Sequence, residues 1–540
     1  MTEAPMEKEN MERKTRRALR ISLFLLIFAC LFVIAGAFLR PLWQAWNNYD
    51  TVYGYYEQPE DSFEVAFLGP SNVISGISPM ELYRDYGIAS YNYATEGQPM
   101  YCSLYWLKEA YRTQSDTLKT VVLDVSTLRD RTHKESAYHK AFDGMELSSV
   151  KIEAVMNHTD SINDALTFLI PLFSYHDRWS DLGEEDIEKF SYTANTSTLG
   201  YYLITTAYLE ENEYDEMWIP DGALDEDDRD ETLISEEHLE ELEQIIDFCE
   251  ENDLDLILIK TPHGYWNDAY HNEVQAIADD YDLTFLDMNF DGVFDEILDF
   301  NYATDTKDGA HPNYYGMLKI TSYLGEYLTD NGLASDVRGD DDYAYLDEAL
   351  EGYEEYVTYA VSLKETTDLV SYLETAISNE NNVVCITAKD DAVSGLTDEV
   401  REALSALGLT ELAALSEDDT YLAVIEGGTV TAEQTGEDEI SFTLKASDGT
   451  KIRLVSGENS AIYVAGEEVS EGTGGLNIVV YQTTFSYVSD SAVFATRTED
   501  GLTRTGIDYA SALEEAILSG TLPEDLPDAL LTLYQYNSRF

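Results

Sequence analysis

The sequence predicts an α/β domain built on a parallel sheet, followed by a smaller β-rich α+β domain and preceded by an N-terminal transmembrane helix. Between residues 61 and 332, apolar strand-like runs alternate with helix-like runs, which is typical of a parallel sheet. From Val383 onward, several short strand-like runs surround one clear helix, which indicates a separate domain near 381–498. Residues 21–39 contain no charged side chain, and this marks the transmembrane segment.

The transmembrane prediction rests on length and on flanking charge. The 19 residues of 21–39 rise about 1.5 Å each and nearly span a hydrocarbon core of roughly 30 Å. Five basic residues lie within 13–20, so the positive-inside rule predicts a cytoplasmic tail at 1–20 and an extracytoplasmic location for the rest of the chain at the cell membrane. A signal peptide cleaved near 35–37 is the alternative. We expect an uncleaved anchor, with a spacer at 40–60.

The charge balance narrows the classes of partner. The 540 residues include 105 Asp and Glu but only 32 Lys and Arg, for a formal charge of −73. Nucleic acid is therefore excluded as an expected partner, because neutralising phosphates requires basic patches. The same acidity disfavours attraction to an anionic membrane surface. The four cysteines are isolated and form no disulfide framework or metal knuckle.

The α/β domain at 61–332 is interrupted by a long insertion at about 129–235. An insertion after the carboxyl end of a strand is where such folds place elements that shape a ligand site. Arg178 lies in this insertion within the aromatic, acidic segment SYHDRWSDL. It is a candidate substrate-binding residue, although it could equally attach the insertion to the core.

The C-terminal half is divided into three segments by changes in polarity and in secondary-structure pattern. Residues 333–380 are polar with helical spacing and predict a helical connector whose charges form a solvated face. Residues 381–498 form the predicted β-rich domain. The tail at 499–540 is partly helix-like, and the sequence assigns it no role.

Ser71 lies in GPSN, the turn between a strand-like run and a helix-like run. A helix N-terminus near a serine hydroxyl can stabilise an anion. Serine is also a preferred helix N-cap, and taken alone the segment favours a cap. It does not match the G-x-S-x-G turn of α/β-hydrolases. A catalytic role for Ser71 therefore depends on partners elsewhere in the chain.

His311 is the strongest candidate base. The segment DGAH places Asp308 three residues before it, in a loop ahead of the last helix of the α/β domain. Such a turn can hold a carboxylate beside an imidazole, so that the other ring nitrogen faces a serine. The alternative is that both residues cap the following helix. Lys260 follows another strand and could position a substrate, although a structural role is favoured.

Taken together, Ser71 after the first strand, the segment SYNYATEG and the segment DGAH resemble the SGNH, or GDSL-like, hydrolase superfamily over residues 61–332. The resemblance implies a flavodoxin-like three-layer fold. The sequence contains no H-E-x-x-H, clustered His/Cys, P-loop or G-x-G-x-x-G motif, so no metal or cofactor is expected. The resemblance implies Ser71 as nucleophile, His311 as general base and Asp308 as its orienting group. Main-chain N–H groups of Ser71 and Gly97 would form the oxyanion hole. Further candidate contacts to substrate are Asn72, Asn92, Ser126, Arg178 and Lys260.

One element departs from the superfamily pattern. Its third element offers an asparagine to the oxyanion hole, whereas this chain has LDVSTLRD, where Ser126 or Thr127 could stand in. This looks like the divergent envelope branch, similar to DltD and AlgJ/AlgX proteins. By resemblance, those are membrane-tethered and act in acylation of envelope polymers beside a membrane-bound O-acyltransferase.

The resemblance implies an acyltransferase or esterase acting on O-acyl groups, above all O-acetyl groups, of an envelope polysaccharide. A degenerate hydrolase domain in a non-catalytic carbohydrate-binding or assembly protein is the second hypothesis. The missing asparagine and the appended C-terminal domain motivate this alternative.

The C-terminal domain resembles the ILEI/PANDER-like domain through VVCITAKDD, YLAVIEGG and GGLNIVVYQ. The resemblance implies a compact β-rich sandwich with a helix, and related domains are thought to bind carbohydrate or protein partners. The segment offers no pair of nucleophile and base. Binding or spacing is therefore its expected role.

Overall fold

The structure of the protein is a computed structural model that describes most of residues 4–505. The positions outside the description are 1–3, 42–47, 130–132, 181, 183–189, 191–193, 195, 206–233, 264–265, 267, 291, 391, 418, 459, 471, 473, 484–486, 499–500 and 506–540. The chain divides into two compact units. One unit comprises 1–43 and 142–193, and the other comprises 44–141 and 194–540.

The described elements follow one another in chain order. The α-helices are α1 (Ala4–Leu39), α2 (Asn48–Tyr56), α3 (Ser71–Gly76), α4 (Pro79–Tyr86), α5 (Met100–Gln114), α6 (Glu135–Phe142), α7 (Ser149–His158), α8 (Ile162–Leu169), α9 (Pro171–Tyr175), α10 (Glu236–Glu251), α11 (Asp268–Asp280), α12 (Tyr302–Asp305), α13 (Tyr314–Asp330), α14 (Ala344–Glu365), α15 (Leu369–Ser378), α16 (Asp398–Ala406) and α17 (Thr410–Ala414). The strands are β1 (Val65–Gly69), β2 (Ser90–Ala94), β3 (Thr120–Asp124), β4 (Asp255–Lys260), β5 (Thr284–Asp287), β6 (Asn382–Lys389), β7 (Thr420–Glu426), β8 (Thr429–Gly436), β9 (Ile440–Lys445), β10 (Lys451–Ser456), β11 (Ala461–Val464), β12 (Glu467–Glu468), β13 (Gly475–Gln482), β14 (Tyr487–Thr498) and β15 (Gly501–Thr505).

The first five strands form a parallel sheet in the order β2-β1-β3-β4-β5. This is the strand order of flavodoxin-like doubly wound folds, so the predicted fold class of this domain is confirmed. Strands β1 and β3 are buried along their whole length. Burial on both faces explains why their sequences are continuous apolar runs. The carboxyl ends of β1 and β2 meet at one edge, where Gly69 pairs with Ala94.

Helices complete the layers of the α/β domain. Phe67 of β1 packs in one cluster with Ile74 of α3, Leu82 of α4 and Leu324 of α13, while α5 packs beside α10. The predicted start and end of α4 are confirmed. The Ser78 hydroxyl accepts a hydrogen bond from the Glu81 main-chain N–H at 3.3 Å, and the helix ends at a left-handed glycine.

Strand β2 was not among the predicted strands; its sequence SYNYA lies within the superfamily-like segment SYNYATEG. Its aromatic residues Tyr91 and Tyr93 are almost fully buried. Both rings pack against Tyr55, at centroid distances of 5.4 and 4.8 Å. Aromatic side chains favour strands when neighbouring elements supply a surface for them. Here α2, within the predicted spacer at 40–60, provides that surface.

The C-terminal domain is a sandwich, as predicted. One sheet has the order β15-β14-β13-β6-β7-β8 and the other β12-β11-β10-β9. Cys385, Val424, Leu454 and Val479 are among the residues that fill the core between the sheets, while α15, α16 and α17 cover the outer face of the larger sheet. The larger sheet continues to β15, beyond the predicted boundary at 498. The rest of the predicted tail, 506–540, lies outside the described residues.

The predicted connector at 333–380 contains α14 and α15, which contact both domains. Tyr353 of α14 donates a hydrogen bond to Glu81 in the α/β domain at 2.9 Å. At the other end, Arg504 of β15 donates to the main-chain oxygen of Leu363 at 3.0 Å and pairs with Asp490 at 2.7 Å. The connector is therefore a packed element, although its exposed charges fit the predicted solvated face.

The first unit contains α1, α7, α8 and α9. Residues Thr15–Leu39 of α1 are long and apolar enough to cross a membrane, judged by length and composition. The helix extends back to Ala4, through most of the predicted cytoplasmic tail. Helices α7 to α9 belong to the predicted insertion at 129–235, of which residues 206–233 lie outside the described residues.

Candidate active site

Ser71 is the first residue of α3 and follows directly on the turn after β1. Pro70 occupies the N-cap position, so Ser71 is not the helix cap. Gly69 makes the tight turn possible: its φ is +152°, and a Cβ there would lie 2.7 Å from Val73 and 3.0 Å from Asp124. The turn therefore places the Ser71 hydroxyl at the carboxyl edge of the sheet, where parallel α/β folds bind ligands.

The loop before α13 is closed by its own hydrogen bonds. Thr306 and Pro312 form an isolated β-bridge, and the Lys307 main-chain N–H donates to the His311 oxygen at 2.9 Å. One carboxylate oxygen of Asp308 accepts the N–H groups of Ala310 at 3.1 Å and of His311 at 2.9 Å. These bonds hold the carboxylate and the imidazole of the D-x-x-H segment side by side.

The structure brings the three predicted catalytic side chains together. Ser71 Oγ lies 2.9 Å from His311 Nε2, across 240 residues of sequence. His311 Nδ1 lies 2.7 Å from Asp308 Oδ2. The tautomer with a proton on Nδ1 satisfies both contacts, because the ring then donates to Asp308 and accepts from Ser71. This is the arrangement of a nucleophile, a base and an orienting carboxylate.

Ser71 does not cap α3, and Asp308 and His311 do not occupy the N-cap position of α13. Asn313 is the N-cap of α13, and its side-chain oxygen accepts the N–H groups of Tyr315 and Gly316. Asp308 accepts the main-chain N–H groups of Ala310 and His311, in the turn that contains the base. The hydroxyl of Ser71 contacts His311, and α3 has no side-chain cap.

The environment favours an ionised Asp308. Partial burial raises the pKa of this carboxyl, but the hydrogen bond and charge of His311 and two main-chain N–H donors lower it. The net pKa lies below its usual value. Asp308 is thus held as the anion that can stabilise an imidazolium. Ser71 is 8% exposed, whereas the side chain of His311 is 22% exposed, so the imidazole is accessible at the surface.

Asn72 connects the two loops of the site. Its side-chain amide donates to the main-chain oxygen of Ala310 at 2.7 Å, and the residue is buried. The sequence suggested that Asn72 contacts substrate. The observed bond instead positions the residue immediately before His311, so we assign Asn72 to holding the base against Ser71.

Gly97 lies in the loop after β2, the strand beside β1. Its φ is +62°, and the space around a Cβ there is open. The adjacent Glu96 is fixed twice: its N–H donates to Asn48 at 2.7 Å, and its carboxylate pairs with Lys140 at 2.6 Å. The expected main-chain donor at Gly97 thus belongs to an anchored loop at the same edge of the sheet as Ser71.

The end of β3 holds a polar cluster that sequence reasoning missed. Asp124 is fully buried and accepts hydrogen bonds from the N–H and hydroxyl of Thr261 at 3.1 and 2.9 Å. The Ser126 hydroxyl also donates to Asp124. The position of Asp124 at the carboxyl end of a parallel strand was the available signal. This is where the superfamily asparagine was expected, and the proton of the Ser126 hydroxyl is already committed there.

Three other candidates have structural contacts. Asn92 is fully buried and donates to the main-chain oxygen of Ile77 at 2.8 Å. Lys260 is also buried, and its ammonium donates to the Thr261 oxygen at 2.7 Å. Arg178 lies in the other unit, where it donates to the main-chain oxygen of Leu39 at 2.6 Å. These bonds favour structural roles for all three residues.

A family model described as Interleukin-like EMT inducer matches residues 346–429. This match supports an ILEI domain in the C-terminal half, although the matched range begins within α14 and ends before GGLNIVVYQ. It covers less than half of the chain. No curated protein sequence matches the chain significantly.

Two solved structures from Bacteroides can be aligned with this chain. A Bacteroides fragilis protein provisionally assigned as an acylhydrolase is 12% identical, with a TM-score of 0.25, and the alignment covers 52% of this chain and 94% of that one. A GDSL-like lipase from Bacteroides thetaiotaomicron is 11% identical, with a TM-score of 0.25 and coverage of 54% and 99%. Alignments at this level do not decide a function, which has to be argued from the site itself.

Proposed function

We propose that the protein is a serine-dependent esterase or acyltransferase whose nucleophile is Ser71. The observation that carries the proposal is the continuous path of hydrogen bonds from Ser71 Oγ through His311 to Asp308, at 2.9 and 2.7 Å. A buried serine at a helix start would not need this path if its only role were capping. A hydroxyl bonded to an imidazole that is itself oriented by a carboxylate is equipped for acyl transfer.

The chemistry follows from the geometry. Ser71 Oγ attacks the acyl carbonyl while its proton passes to His311 Nε2. The ester bond to the leaving alcohol then breaks, and the alcohol oxygen takes that proton. Water or a sugar hydroxyl next attacks the acyl-serine and gives its proton to His311. The bond between the acyl carbon and Ser71 Oγ breaks, and His311 returns the proton to Ser71. Asp308 remains an anion throughout and stabilises the imidazolium.

We further propose that the substrate is an O-acyl ester, above all an O-acetyl ester, of an envelope polysaccharide. The ILEI domain supports this proposal because related domains are thought to bind carbohydrate. Helix α1 supports a location at the cell membrane, and the five basic residues at 13–20 support a cytoplasmic N-terminus. A membrane-bound O-acyltransferase is the proposed partner that would supply acyl groups, and co-purification with such a protein would favour transfer over hydrolysis.

The test is acetate release from an aryl acetate and from an O-acetylated polysaccharide by the full chain in detergent. A fluorophosphonate probe should label Ser71, and Ser71→Ala should abolish both labelling and release. Ser78→Ala is the matched control, since Ser78 is another buried serine at a helix start but bonds to Tyr353. Unchanged acetate release by Ser71→Ala would reject the proposal.

A non-catalytic carbohydrate-binding protein is the second candidate. The observation that favours it is Ser126, whose hydroxyl donates to Asp124 where an oxyanion donor was expected. Loss of one such donor costs about 10²–10³ in kcat. This candidate predicts an unlabelled Ser71 together with polysaccharide binding that survives Ser71→Ala. Under the enzyme proposal, main-chain donors suffice and Ser126→Ala leaves acetate release nearly unchanged.

A further inference from the structure

Residues 142–193 hold most of the exposed large apolar side chains that the structure describes outside α1. Eight of these ten side chains belong to this stretch: Leu147, Ile152, Met156, Ile162, Phe173, Trp179, Leu182 and Phe190. Single exposed apolar residues are ordinary on a protein surface, so their concentration in this one segment is the feature that calls for an explanation.

Helix α7 is apolar on more than its buried side. Ala154 and Val155 are buried, yet Ile152 and Met156, one helical turn apart, are 45% and 48% exposed. One apolar stripe is what a helix needs to pack on its own protein. Ile152 and Met156 therefore present apolar surface outside the buried side of the helix.

Helix α9 packs directly on α1. This contact shows at which level along the apolar span of α1 the helix α9 lies. The rings of Phe32 and Phe173 are 6.4 Å apart, and the main-chain nitrogen of Leu172 lies 3.6 Å from the position of a Cβ on Gly36. Phe32 precedes the end of α1 at Leu39 by seven residues, which is about 10 Å along a helix. Where α1 crosses a bilayer, α9 therefore lies below the hydrocarbon boundary.

Polar contacts gather at the end of the apolar run of α1. Arg178 donates to the main-chain oxygen of Leu39 at 2.6 Å, and so supplies a donor and a positive charge at the helix C-terminus. Arg40 donates to the main-chain oxygen of Asp143 at 3.1 Å. Trp179, beside Arg178, is 73% exposed. Charged groups with an exposed tryptophan at the end of a span are typical of the interface between lipid and water.

We propose that residues 142–180 form a second membrane contact, with α7 to α9 embedded in the leaflet that surrounds the C-terminal half of α1. The occupant of the apolar surface is therefore lipid. The inference rests on the proposed anchoring by α1. Binding comes from burial of apolar side chains, since 142–180 contains six acidic and only two basic residues. Interfacial helices of this kind sink roughly 5–10 Å into the boundary between headgroups and acyl chains.

The test measures depth in the full chain, reconstituted in phosphatidylcholine vesicles that contain doxyl lipids. A fluorophore on Cys30, which is exposed on α1, reports the anchor. Phe173→Cys and Trp179→Cys, in a Cys30→Ser background, report the proposed contact. Ile297→Cys is the matched control, because Ile297 is 60% exposed and belongs to the α/β domain.

Doxyl lipids are expected to quench the fluorophore at Cys30 and at position 173. At position 179, shallow quenchers should quench more strongly than deep ones. Quenching at position 297 should be several-fold weaker than at the other positions. If positions 173 and 179 match 297 while Cys30 is quenched, the second contact is rejected and the anchor stands. If Cys30 itself is not quenched, the anchor is rejected and the second contact with it. The proposed enzymatic activity is measured separately and does not depend on either result.

Discussion

Two Asp–His pairs lie in the α/β domain with nearly the same geometry. Nδ1 of His311 is 2.7 Å from Asp308, and Nδ1 of His271 is 2.8 Å from Asp287. The rest of their surroundings differs. His311 meets the Ser71 hydroxyl at its other nitrogen, whereas the ring of His271 stacks on Phe290 at 4.3 Å.

The carboxylates of Asp287 and Asp308 also accept hydrogen bonds from different groups. Asp287 is buried and accepts further hydrogen bonds from Trp266 at 2.8 Å and from Asn289 at 2.9 Å. Asp308 accepts the main-chain N–H groups of Ala310 and His311 in its own turn and pairs with the His311 ring. An Asp–His pair is therefore not by itself a catalytic signature. The partner of the second ring nitrogen decides whether the imidazole can take a proton from a nucleophile or only stabilises packing.

The largest expected difference in kcat is between the variants that remove the imidazole of His311 and the imidazole of His271. His311→Ala should lower kcat for acetate release by at least about 10⁴-fold, because Ser71 loses its base. His271→Ala should leave kcat unchanged, since its ring contacts no nucleophile among the residues described around it. Steady-state rates on an aryl acetate, taken below the unfolding temperature of each variant, make the comparison. Equal losses in the two variants would contradict the assignment of His311 as the base.

Replacing each carboxylate should separate activity from stability. Asp308→Asn should lower kcat by about 10⁴-fold, because an amide favours the wrong tautomer of His311. Asp287→Asn should leave kcat nearly unchanged but lower the free energy of unfolding by about 1–3 kcal/mol, because buried donors lose a charged acceptor. Urea denaturation and steady-state kinetics together measure both effects. The assignment fails if Asp287→Asn is the variant that loses activity while it remains folded.

A smaller effect is expected from Asn72, which positions the residue before His311. Asn72→Ala removes the bond to Ala310 and should lower kcat by about 10–100-fold with little change in KM, because a shift of 1 Å in the base has costs of that order. Asn92→Ala is the control, as it removes another buried amide, whose bonds within the described residues go to main-chain oxygens. A change in KM alone for Asn72→Ala would indicate that Asn72 contacts substrate after all.

The smallest effect concerns pH. Because the pKa of Asp308 is lowered in the folded protein, its contribution to stability is present above the usual value of about 3.9 and is lost as the pH falls through the lower folded pKa. The difference in unfolding free energy between the wild type and Asp308→Asn should therefore shrink as the pH falls below about 4. Denaturation curves at a series of pH values test this. A gap that widens in acid would contradict the sign of the shift.

Much of the site follows from local sequence. The apolar run of β1, the turn at Ser71 and the D-x-x-H segment were all predicted, since each depends on residues close together in the chain. The roles of Asn72 and Asp124 were not. A buried amide or carboxylate bonds to whatever the fold brings near it, and neighbours such as Ala310 and Thr261 lie far away in sequence.

The sequence by itself determined the α/β class, the sandwich that follows it, the apolar helix and the residue types of the candidate site. Hydrophobic periodicity and turn residues encode these features over short distances. Only the tertiary structure decided that His311 rather than His271 faces a serine, and that Arg178 bonds to the end of α1. Those outcomes depend on packing between distant segments. The packing of α13 on α3 and α4 brings Ser71 within 2.9 Å of a residue 240 positions away.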